Sequence, residues 1–136
     1  MNEATEDVLP NEEMLARFIL KKEWIRHPTD THPFTSIKHD AFFPPKDLQL
    51  SVSRHSGLSA PELNKIGLSV AQLTQKPLLG RGDIKAHTVS KLALKAVAAP
   101  LLDNPHHAHI IGWPVDKAAR ITIAQQIAAE ASFVPI

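Results

Sequence analysis

Four prolines between Lys21 and Asp47 (Pro28, Pro33, Pro44 and Pro45) constrain this chain more than any other feature. Proline fixes φ, lacks an N–H and disfavours helix at the residue before it, so neither a long helix nor a central strand can cross this interval. Loops this long in a compact domain tend to be functional or partner-binding, or else disordered. Trp24, Phe34, Phe42 and Phe43 give the excursion apolar anchors, which predicts an ordered loop. The regular core must then come from the flanking segments.

Those segments carry two periodicities. Residues 14–20 place Met14, Ala16, Phe18 and Leu20 on one face of a strand. Residues 48–54 alternate cleanly, with Leu48, Leu50 and Val52 facing in and Gln49, Ser51 and Ser53 facing out. Ser59 and Glu62, with Pro61 between them, form a capping box that opens a helix over 59–75. Its expected core stripe is Leu63, Ile66, Val70 and Leu73, with Gly67 a weak point inside it. Gly80, Arg81 and Gly82 read as a turn, and residues 83–89 and 92–98 as strands that pair with each other. A loop over 100–105 leads to a strand over 106–111 and a Gly112-Trp113-Pro114 turn. Asp116 is the natural N-cap of an Ala-rich helix over 116–131, with Ile121, Ala124, Ile127, Ala128 and Ala131 inward. The expected fold class is therefore α+β: a small mixed or antiparallel sheet covered by two main helices, with the Pro-rich loop outside it.

At 136 residues the chain suits one domain, expected over 14–136 behind a polar tail at 1–13. The tail is acidic and lacks the basic and apolar regions of a signal peptide. No apolar run approaches the roughly 20 residues that span a bilayer. The lack of cysteine removes disulfides, thiolate nucleophiles and Cys-type zinc sites. A cytoplasmic protein is expected. The formal charge of +1 supplies no global field towards nucleic acid or anionic lipid, so neither is an expected partner.

Chemistry concentrates in the histidines. His107 and His109 are two apart, so a strand sends both rings to one face and His106 to the other. Such a pair can hold zinc or another divalent ion if further ligands converge, with His87, His55 and Asp103 as candidates. Without them the rings simply hydrogen-bond or stack, and no cofactor is required. Arg54 and His55 follow a buried strand face, where a guanidinium suits phosphate or carboxylate unless Glu62 neutralises it. Were the two stretches to meet, Arg54, His55, His107 and His109 would form the phosphate-binding and acid–base set of a phosphoesterase, nuclease or nucleotide-handling enzyme. Arg81 and Trp113 are the candidate binding residues outside that set. Trp113 before Pro114 is expected to pack on the C-terminal helix, with ligand stacking as the alternative. His27-Pro28-Thr29 has the His-x-Thr form of two-histidine phosphoesterases but no second copy, and no nucleophile elbow or phosphate loop is present.

Residues 41–58, Gly80-Arg-Gly-Asp-Ile84 and His107-Ala-His-Ile-Ile-Gly-Trp-Pro114 resemble segments of a scattered group of small bacterial proteins. The resemblance spans about residues 14–131 and carries no activity that could be transferred to a residue. It implies a bacterial or phage accessory protein. With no catalytic motif and a long Pro-rich loop, the expected function is a non-catalytic interaction component of a multi-gene system, such as defence or toxin–antitoxin. Its expected partner is another protein of the same operon.

Overall fold

A computed structural model describes residues 7–136. The strands are β1 (Met14–Ile19), β2 (Ile25–Arg26), β3 (Ser36–Ile37), β4 (Leu50–Arg54), β5 (Gly80–Lys85), β6 (Lys95–Ala98), β7 (His107–Ile111) and β8 (Ser132–Pro135). The helices are α1 (Ala60–Thr74), α2 (Ala86–Ser90) and α3 (Lys117–Glu130), with 3-10 turns at Lys22–Trp24 and His39–Phe42. Six strands form one fully antiparallel sheet in the order β6-β7-β4-β1-β5-β8, and β2 pairs with β3 apart from it. The α+β class is as expected.

One face of the sheet carries Leu15, Ile19, Leu50, Val52, Ile84, Ala108 and Ile110, all buried. Ala124 and Ile127 of α3, Val89 of α2 and Trp113 join them in one core. Phe42, fully buried, brings the Pro-rich excursion into that core, so the excursion is ordered as expected. Gly82 makes this docking feasible, because a Cβ there would stand 2.5 Å from Ile37 Cδ1 and 3.1 Å from Phe42 Cζ.

α1 lies on the opposite face. Ser59 and Glu62 form the expected capping box. The buried stripe, however, is Leu63, Gly67 and Ala71, while Leu73 stays 71% exposed. Gly67 explains the rotation: a Cβ would meet Phe18 Cε1 at 2.8 Å, so the missing side chain is what lets the helix settle on the sheet.

Other expectations change. Gly80–Gly82 is not a turn but the start of β5, pairing from Ile19↔Gly80 to Met14↔Lys85. The strand over 83–89 stops at Lys85, because Ala86 and His87 donate to the Glu13 and Asn11 carbonyls and the chain coils into α2. The second strand shortens to β6, which pairs with β7 at the far side of the sheet from β5. Ser53 keeps its expected phase, opposite Leu50 and Val52, but is buried rather than exposed, because the loop bearing Asn104 covers that face. β8 was unforeseen. At the N-terminus, residues 1–6 lie outside the described residues, but 7–9 bind the β6 edge: Val8 bridges Val97, Leu9 N–H donates to Ala96 O, and Leu9 is buried.

Candidate functional site

The register decides which candidate residues meet. Ser53 pairs with His107 and Ser51 with His109, so both rings leave the α1 face. Arg54 pairs with Leu15 and shares the opposite, core-facing side. The four-residue set of Arg54, His55, His107 and His109 therefore does not close around one point. Glu13, rather than Glu62, occupies Arg54: its Oε1 accepts from Nη2 at 2.9 Å and from Nε at 3.3 Å, and its Oε2 accepts from Ser56 N–H. Burial works against the Glu13 charge. The Arg54 and Ser56 hydrogen bonds and the Arg54 and His55 charges outweigh it, and the carboxyl titrates below its usual range.

His55 does lie on the α1 face, where its Nε2 is 3.2 Å from Asp83 Oδ1. The same oxygen accepts from Arg81 Nε at 2.9 Å, so Arg81 is buried and paired rather than open to a ligand. This ionic knot sits where α1 enters the structure. β7 and β5 are separated by β4 and β1, so His107 and Asp83 stand about 14 Å apart at the usual strand spacing. Glu13 and Asp83 were not singled out from sequence. Asp83 had a usable signal, since Arg81 and Asp83 at spacing two share a strand face.

His107 and His109 meet edge to face with centroids 4.7 Å apart. His107 Nδ1 is 2.9 Å from Ala99 O, which holds the ring. Among the described residues no set of three His, Asp or Glu side chains could hold a metal, and neither His87 nor Asp103 joins the pair. Burial, then the neighbouring His107, holds the His109 pKa below its ordinary 6.5, with Asp47 opposing. Its unfolded form takes up a proton at the ordinary value, so stability is lost as pH falls through about 6.5 towards the folded value. His109→Gln is expected to flatten the pH dependence of thermal unfolding in that window. Trp113 is buried, its Nε1 donating to Ile110 O at 3.0 Å, and packs with the α3 residues of the core.

The geometry offers a different site on the same face. β1 and β4 pair over only two rungs, Leu15↔Arg54 and Ala16↔Ser53. Past them lies a cavity of about 210 Å³, walled by Phe18, Leu20, Val52, Val70, Leu73 and Leu101. Arg17, Ser51, Ser53, Thr74 and His107 supply its polar edge. Arg17 spans the gap, donating from Nη1 to Ser51 O at 3.0 Å and from Nε to Ala41 O at 2.7 Å beneath the Trp24 ring. Burial lowers its pKa to about 10, so it stays charged at neutral pH. Asn104 pins the loop that carries Leu101: its Nδ2 donates to Ser53 Oγ, and its Oδ1 accepts from His106 N–H. Leu101 is 49% exposed and its neighbour Leu102 fully so. No described helix is long and apolar enough to cross a membrane. Comparison with protein families, curated proteins and solved structures finds no match to this chain.

Proposed function

We propose that this chain is a non-catalytic interaction protein whose binding face is the groove between α1 and the 99–106 loop. One observation carries the reading: an open apolar cavity is bordered by Leu73 and Leu101, both large, exposed and held on ordered elements. Exposed apolar side chains are ordinary when scattered, but a group around a preformed cavity suits an interface core. A cavity of about 150 Å³ is known to accept benzene, so 210 Å³ has room for one aromatic or branched aliphatic anchor. The occupant is an apolar side chain of a partner protein. The near-neutral charge requires neither nucleic acid nor lipid. No cofactor is needed.

The resemblance to small bacterial proteins supports a cytoplasmic accessory role in a multi-gene system such as defence or toxin–antitoxin, with the partner encoded beside it. The test is affinity capture from the source cells with the wild-type chain and with a Leu73→Glu, Leu101→Glu double variant. Hot-spot residues are worth about 2 kcal/mol or more, so the partner's Kd should rise at least about thirtyfold in the variant while the fold persists. Equal capture by both proteins would contradict the groove as the binding face.

A second reading keeps the histidines as chemistry, since His107 borders the same cavity and His109 favours its neutral form. A small phosphoesterase or nuclease, with or without a divalent metal such as zinc on His107 and His109, would use them as base and ligand. Phosphodiester hydrolysis lost in a His107→Ala, His109→Ala variant would establish it in place of the first.

A further inference from the structure

A second cavity, of about 430 Å³, lies between the β2–β3 hairpin and the C-terminal half of α3, away from the groove. Arg26, His32, Ser36, His39 and Gln125 line it, and among the described residues no carboxylate does. We propose that this cavity binds a small phosphomonoester through its phosphate group.

The hairpin is built to hold these donors. Arg26 and Ser36 are direct cross-strand partners, which places their side chains side by side. Buried Ile37, opposite Ile25, fixes the hairpin against the core, and Lys38 N–H donates to Trp24 O. At its tip, Thr29 and His32 exchange backbone hydrogen bonds, and Thr29 Oγ1 accepts from His32 N–H, so the His32 backbone is anchored. His39 has Asp40 Oδ1 3.8 Å from its Nδ1. Asp40 does not line the cavity.

The donors have little else to do. The Arg26 guanidinium makes no hydrogen bond or ion pair among the described residues. The Ser36 hydroxyl is buried and has no partner among the described residues, an arrangement that ordinarily costs free energy. Ser36 lines the cavity, and its residue is half-buried, so a change of χ1 would be needed to present the hydroxyl to a ligand there. A guanidinium fork, two imidazoles, a hydroxyl and an amide outnumber what one carboxylate can accept. They match a tetrahedral dianion with three strong acceptor oxygens. The cavity is also larger than the ion alone needs. Ile37, Ala128, Ala129 and Ala131 give it an apolar side, where the short alanine side chains at the end of α3 and just after it leave room for the organic half.

The experiment is calorimetric titration of the full chain with ribose 5-phosphate, inorganic phosphate and ribose. Ribose 5-phosphate should bind saturably at one site, more tightly than inorganic phosphate, and ribose should not bind. Arg26→Gln should weaken binding at least tenfold and Ser36→Ala severalfold. Lys65→Gln, which removes an exposed charge on α1, should leave it unchanged. Arg26 is exposed, so its variant should unfold at the wild-type temperature and any loss is a loss of ligand contact. Absence of saturable binding, or equal effects of Arg26→Gln and Lys65→Gln, would overturn the proposal. So would tighter binding of a phosphoserine peptide than of ribose 5-phosphate, which would assign the site to a protein ligand.

Discussion

Phe42→Ala is expected to destabilise the protein by about 3–5 kcal/mol, read as a drop in the urea midpoint. Phe42 is fully buried and is the deepest anchor of the Pro-rich excursion. Its ring stands 3.1 Å from the place a Gly82 Cβ would fill, so two segments close over one contact. Removing the ring leaves a cavity that the neighbouring sheet is too rigid to collapse into. Domains of this size hold only about 5–15 kcal/mol in total, so the loss is a large fraction of stability. The β2–β3 hairpin should show it first, as faster amide exchange at Lys38 than at Val52.

Asn104→Leu is expected to cost about 2–4 kcal/mol and to disable the groove at the same time. Asn104 is buried and satisfies two groups, the Ser53 hydroxyl and the His106 N–H. Leucine has the same branching, with bulkier ends, but strands both groups, and each orphaned group costs about 1–3 kcal/mol. The backbone of Asn104 also exchanges hydrogen bonds with Leu101. Loosening this turn therefore moves Leu101 off the cavity wall. Calorimetric stability and partner affinity should fall together in this variant. Leu73→Glu, Leu101→Glu should lower affinity with little loss of stability.

Local chemistry made several elements legible in sequence. The alternation of Leu50 to Val52, the Ser59–Glu62 capping box and the Asp116 cap each fix their own backbone, and all three are present as read. What stayed hidden depends on distant partners. Gly67 looks like a helix flaw until Phe18 is placed beneath it, and that contact turns Leu73 out to solvent. Gly80 and Gly82 look like a turn until β1 on one side and β8 on the other draw them into a ladder. β8 has only four residues after a helix, too few to show a period.

The site followed the same rule. His107 and His109 share a face, as spacing two requires. Their distance from Asp83, and the capture of Arg54 by Glu13, follow from strand order and register, which no local pattern encodes. The Leu73–Leu101 groove joins residues far apart in sequence across an incomplete sheet seam, so only the assembled fold reveals it.

The most direct measurement places a photocrosslinking amino acid at Leu73 and, separately, at Val115, an apolar side chain that is 86% exposed and does not border the groove. Irradiation in the source cells should yield one discrete protein adduct from position 73 and none from 115. Adducts of the same protein from both positions, or from 115 alone, would contradict the groove as the face on which this protein works.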